Sequence, residues 1–118
     1  MDLTHSAVAI IPCNDLDASQ AFYERLGFRV SAIYPDHGYR ILNNEQGASL
    51  HLTRTEPGWV VPERNVHGVY FYPENVKALA VEFGRKAEAK PWGLIELALS
   101  DPNGTLIRIG WPNEAANS

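Results

Sequence analysis

The chain repeats itself. Asp15-Leu16 returns as Asn75-Val76, 60 residues on, and Gly47 returns as Gly104, 57 residues on, so the fold is expected to consist of one supersecondary unit used twice. In the first copy, Ala7 to Cys13 is a continuous apolar run, too short for a helix and closed by Asn14-Asp15, which predicts a buried strand. Asp15 then reads as a helix N-cap with Asp17 favourable to the dipole behind it. Leu16, Ala18, Phe22, Tyr23 and Leu26 recur at helical spacing, and Gly27-Phe28 fits a glycine C-cap with its hydrophobic contact. Three strands follow, over Phe28 to Ile33, Tyr39 to Leu42 and Ser49 to Thr53, separated by the loop Tyr34 to Gly38 and the polar turn Asn43 to Gly47.

The second copy begins after a linker, Thr55 to Asn65, that carries Pro57, Gly58, Pro62 and one tryptophan, Trp59. Val66 to Tyr72 reads as a strand. Asn75 can cap a helix whose apolar face is Val76, Leu79, Ala80 and Phe83 and which Gly84 ends. Ala87 to Lys90 fits a short strand, and Leu94 to Leu99 and Thr105 to Ile109 form a pair joined by the turn Asp101-Pro102-Asn103-Gly104. The expected class is α+β, one domain over 1–118. Residues 1–54 and 66–112 form its two βαβββ units, residues 55–65 link them and residues 113–118 are a tail.

A chain of 118 residues suits one such domain. No apolar run approaches the ~20 residues of a membrane span and no basic-then-apolar leader opens the chain, so a cytoplasmic protein without membrane contact is expected. The single cysteine, Cys13, lies in an apolar strand and reads as a buried, inert thiol. A net charge of -4, with no basic cluster longer than Arg85-Lys86, argues against nucleic acid and makes a cationic or neutral small molecule the easier partner.

Two consecutive βαβββ units, with Asp15-Leu16-Asp17 and Ala21 to Phe28 (AFYERLGF) after the first strand and Trp92-Gly93, Glu96 and Asp101 to Gly104 (DPNG) near the end, resemble the vicinal oxygen chelate superfamily. It includes glyoxalase I, fosfomycin resistance proteins, extradiol dioxygenases and bleomycin resistance proteins. The resemblance spans Ala7 to Trp111 and implies a curved mixed sheet with a cavity on its concave side. The family's metal enzymes place His, Gln or Glu ligands there, at positions that fall here on Val8, Gly68, His51 and Arg108. Three of these cannot bind a metal, because an apolar side chain and a glycine offer no donor and an arginine is a fixed cation. His5, His37, His51 and His67 show no paired ligand spacing. His37 reads as an exposed turn residue and His51 as a hydrogen-bonded wall of the cavity. No metal, cofactor or catalytic residue is therefore assigned.

Strand alternation places Glu96 and Ala98 on one face and Leu97 and Leu99 on the other. The resemblance turns the Glu96 side to the cavity, and the same count brings in Tyr39 and Ile41, Ser49 and His51, Tyr70 and Tyr72, Leu106 and Arg108. The ligand-binding set is Tyr39, His51, Trp59, Tyr70, Trp92, Glu96 and Arg108. Trp59 and Trp92 could stack on a flat ligand or shield a dimer seam. Glu96 could give a cationic ligand its counter-charge, or pair with Arg108 to close a filled core. An arginine at the terminal glutamate position makes the chain most like bleomycin resistance proteins. That likeness implies a metal-independent homodimer that binds and sequesters an antibiotic or another small, partly aromatic molecule. The alternatives are a metal-dependent lyase, thiol transferase or dioxygenase, and a filled-core interaction module.

Overall fold

A computed structural model describes residues 6–113; His5 and residues 114–118 of the expected tail lie outside them. The chain forms two units, one ending at Val61 and the other starting at Pro62. The first contains β1 (Ala9–Cys13), α1 (Leu16–Arg25), β2 (Arg29–Tyr34), β3 (Tyr39–Asn43) and β4 (Ser49–Arg54), and the second β5 (Gly68–Phe71), α2 (Val76–Glu82), β6 (Glu88–Ala89), β7 (Leu94–Ser100) and β8 (Leu106–Pro112). Each is a four-stranded mixed sheet, ordered β1-β4-β3-β2 in the first and β5-β8-β7-β6 in the second. In both, the first strand runs parallel to the last and the remaining pairs are antiparallel. Two βαβββ units of one topology, α+β in class, are what the repeat predicts. Pro12 is tolerated in β1 because that strand is an edge of its sheet, where a missing N–H breaks no central ladder.

Local chemistry sets α1. The Asp15 carboxylate accepts from the backbone N–H groups of Asp17 and Ala18 at 3.0 and 3.2 Å, which satisfies donors the first turn leaves open. At the other end Gly27 has φ 99, its N–H donates to Glu24 O, and the Phe28 N–H donates to Tyr23 O at 3.0 Å. Phe28 then packs edge-on against Tyr23, with ring centroids 6.3 Å apart. This is the glycine-terminated cap with its apolar closure. The buried stripe runs through Ser19, Tyr23 and Leu26, whereas Ala18, expected on that face, is exposed. From β3, Arg40 clamps the helix to the sheet, donating to Gln20 Oε1 at 2.8 Å and pairing with Asp17 at 2.8 Å. Asp15→Ala should cost about 1 kcal/mol of stability, read as a lower urea midpoint with an unchanged slope.

α2 ends in the same way, with Gly84 at φ 62 and the Arg85 N–H donating to Ala80 O at 2.8 Å. Its start differs from expectation. Asn75 stands at the N-cap, but its side chain makes no capping hydrogen bond, and its φ of -94 and ψ of 40 lie away from the extended geometry of Asp15. The strand expected from Val66 starts at Gly68, and Val66 is exposed. The core of the first unit is Ile11, Cys13, Tyr23, Leu26, Phe28, Leu42, Leu50 and Leu52; that of the second is Val76, Leu79, Ala80, Leu97, Leu99, Ile107 and Ile109. Alternation along the strands turns the intervening residues to the opposite face, where Tyr39, His51, Tyr70, Glu96 and Arg108 lie, while Trp59 and Trp92 stand outside the strands.

Candidate functional site

In the first unit the pairing register aligns Ile10, His51 and Ile41 across β1, β4 and β3. The Tyr39 hydroxyl and His51 Nδ1 share a hydrogen bond at 2.6 Å, and their rings meet edge to face at 5.3 Å. His51 is therefore a hydrogen-bonded side chain of this face. Trp59 sits in a turn closed by its own N–H on Glu56 O, in a segment tied to the end of β1 by Asn14 Nδ2 on Val60 O at 3.0 Å. Its indole is 75% exposed.

In the second unit the matching row is Tyr70, Arg108 and Ala98 across β5, β8 and β7. Two pairs further along, on the same face, Glu96 stands opposite Gly110. Glu96 is only 5% exposed, yet the partner it could have found in Arg108 is not the one it has. Its Oε2 accepts from the Tyr70 hydroxyl at 2.8 Å and from the indole Nε1 of Trp92. The tight turn after β6 makes the second bond possible, because the Gly93 N–H on Lys90 O folds Trp92 back over the strand. Burial pushes the Glu96 carboxyl up, but the bonds from Trp92 and Tyr70 and the charges of Arg108 and Lys90 outweigh it, leaving it ionised below the ordinary carboxylate range. The Tyr70 hydroxyl is driven the other way, far above its ordinary value, by desolvation, by donating to Glu96 and by that carboxylate's charge.

Arg85, Lys86, Lys90, Trp92, Glu96 and Arg108 line a pocket of about 440 Å³ on the second unit, together with Glu88 and Ala98. Three of the expected ligand residues, Trp92, Glu96 and Arg108, thus share one hollow, and Tyr70 is joined to it through Glu96. Arg85, Lys86 and Lys90 were not expected there. Arg85-Lys86 is visible in the sequence as the longest basic pair, but it lies between elements, where no periodicity assigns a face. Tyr72 packs against Tyr70 with ring centroids 4.9 Å apart.

The repeat carries into the site. His51 and Arg108 occupy equivalent places, as do Tyr39 and Glu96, with the 57-residue offset, and Ile10 and Tyr70 with the 60-residue one. The donor set does not fit a metal ion. In the second unit the equivalent positions are Gly68, which starts β5, and Arg108; in the first only His51 could ligate, and its Nδ1 is engaged with Tyr39. Within either unit, among the described residues, no three His, Cys, Asp or Glu side chains form a group able to hold one. His37 is exposed in a 3₁₀ turn, and His67, also exposed, uses its backbone to bond Asn65 and Leu106.

Comparison with known proteins agrees with the fold. Residues 3–109 match the model of the Glyoxalase/Bleomycin resistance protein/Dioxygenase superfamily. A bleomycin resistance protein of Klebsiella pneumoniae is 28% identical over 120 residues, covering 91% of this chain and 92% of that protein. Among solved structures, a bleomycin-binding protein complexed with bleomycin superimposes with a TM-score of 0.76 at 26% identity, over 93% of this chain and all of the other. A bleomycin resistance determinant encoded on the transposon Tn5 gives a TM-score of 0.76 at 27% identity, over 93% of this chain and 99% of the other.

Proposed function

Because the chain belongs to the glyoxalase/bleomycin resistance protein/dioxygenase superfamily, we propose that it binds a bleomycin-type antibiotic without a metal and protects by sequestration rather than by catalysis. The observation that carries this reading is the likeness, over 93% of the chain, to a bleomycin-binding protein in complex with its drug. The second unit supports it. An indole 59% exposed at Trp92 is oriented by a buried carboxylate beside an open hollow, an arrangement that offers a rigid stacking surface and no reactive group.

The proposed contact residues are Tyr39, His51 and Trp59 in the first unit and Tyr70, Trp92, Glu96 and Arg108 in the second. The chain works as a homodimer in the cytoplasm. Large apolar side chains left in water, Ile10 and Val66 among them, favour a partner subunit. No helix among the described residues is long and apolar enough to cross a membrane.

Titrating the purified chain with metal-free bleomycin while following tryptophan emission tests the proposal. A saturable change is expected, and a flat titration of a chain shown folded by circular dichroism would overturn it. Sedimentation should give twice the chain mass. Stoichiometric divalent metal retained through chelator-free purification would favour the enzymatic alternative.

A further inference from the structure

The chain as a whole is acidic, at -4, but the hollow of its second unit is not. Four cationic side chains, Arg85, Lys86, Lys90 and Arg108, face two carboxylates, Glu88 and Glu96. Both carboxylates are engaged. Glu96 is buried and accepts from Trp92 and Tyr70, and Glu88 pairs with Lys90 at 3.2 Å. Among the described residues Arg85, Lys86 and Arg108 form no ion pair. Arg108 is exposed and stands between Ala98 of β7, which has nothing beyond Cβ, and Tyr70 of β5. A solvated basic face would be the plain alternative, but these charges line a concavity, whose low-dielectric walls focus their field on whatever enters. At about 440 Å³ the hollow has the size of a small-molecule site.

We propose that the second unit holds an anion subsite, in which Arg108, Lys86 and Arg85 take a carboxylate, sulfonate or phosphate group of a ligand whose flat portion lies on Trp92. The planar guanidinium of Arg108 suits a two-oxygen grip on any of these groups, with Lys86 and Arg85 adding charge. The inference rests on the reading that this unit receives a small molecule, and it changes the expected chemistry of that molecule. Glu96, whose charge is already met by two donors, orients Trp92 instead of greeting a cation.

Two probes sharing one ring separate the possibilities: 2-naphthoate and 2-naphthylmethylammonium, titrated into the full chain and read by Trp emission and calorimetry. Naphthoate should bind about tenfold more tightly than the ammonium compound, and lose affinity as salt rises. Arg108→Gln should weaken naphthoate about tenfold and Lys86→Gln severalfold, with the ammonium probe unaffected or improved. Equal affinity for the two probes, or naphthoate binding indifferent to both substitutions, would overturn the anion subsite. If metal-free bleomycin still titrates in that case, the proposed function survives the loss. Charge-selective naphthoate binding with no response to bleomycin would instead keep the subsite and remove the drug.

Discussion

Replacing Gly104 by alanine should destabilise the protein by about 3 kcal/mol or more, while the same change at Gly47 should cost about 1 to 2 kcal/mol. The two glycines close turns built alike. In the first, Asn44 Oδ1 accepts from the N–H groups of Gln46 and Ala48 at 3.0 and 2.8 Å, and the Asn44 N–H donates to Ala48 O. In the second, Asp101 Oδ1 accepts from Asn103 and Thr105 at 2.8 and 2.9 Å, and the Asp101 N–H donates to Thr105 O. Both glycines have positive φ, 99 at Gly47 and 81 at Gly104, so each substitution bears similar backbone strain. The surroundings differ. A Cβ at Gly47 would meet nothing within 4 Å, whereas at Gly104 it would lie 2.8 Å from Pro62 C and Cα and closer still to the carbonyl oxygen. Backbone cannot rotate aside as a side chain can. Asn65 also pins this turn, donating to Asn103 O at 2.9 Å and Thr105 Oγ1 at 3.0 Å, so it cannot readily retreat. Urea unfolding of both variants at neutral pH measures the difference, and equal midpoints would refute the collision.

The similarity of these turns was legible in the sequence, and their difference was not. A repeat reports which residues share a backbone conformation, and Gly47 and Gly104 do. It carries nothing about Pro62, which reaches the second turn from 42 residues away in the chain. The same division holds at the site. A period of two placed Glu96 and Arg108 on one face, as the register confirms, because alternation is a local property of strands. Whether they would pair was beyond it. Arg108 stands opposite Ala98, while Glu96 faces Gly110, whose missing side chain leaves the space into which Tyr70 extends from β5 to reach the carboxylate. Asp15 and Asn75 differ likewise, since residue type suggests a cap while the backbone dihedrals decide whether the side chain can reach. Arg85 and Lys86 could not be assigned to the site for the complementary reason, lying in a connection where no period exists to assign a face, and Lys90 closes an expected strand whose observed extent, Glu88–Ala89, stops short of it.

Glu96 should be the substitution to which ligand affinity is most sensitive. Glu96→Ala removes the acceptor of both Trp92 and Tyr70, so the indole loses the bond that fixes its plane and must be ordered by the ligand itself. A drop in bleomycin affinity of tenfold or more, roughly 1.4 kcal/mol, is expected, with Trp92 emission more depolarised in the unliganded variant. Glu96→Gln keeps the shape and loses the charge, and its stability against wild type should depend on pH. The Glu96 carboxyl is held below its ordinary value of 4.5 in the folded chain, so the folded state binds its proton less readily than the unfolded one. The resulting stabilisation is fully present above 4.5, and is lost as pH falls through the lower folded value. Wild type should therefore exceed Glu96→Gln in urea midpoint at pH 7, and the gap should close on acidification. A gap independent of pH would mean that the carboxylate charge contributes nothing to holding Trp92. Gly110→Ala bears chiefly on the tyrosine arm of the network. Its new Cβ would lie 3.2 Å from Tyr70 Cζ and nearer the hydroxyl, forcing Tyr70 off Glu96, whereas Glu96, with its Cγ 3.2 Å away, need give by only a few tenths of an ångström. If affinity depends on the indole, Gly110→Ala should weaken bleomycin binding much less than Glu96→Ala does. An equal loss in both variants would transfer the leading role to Tyr70.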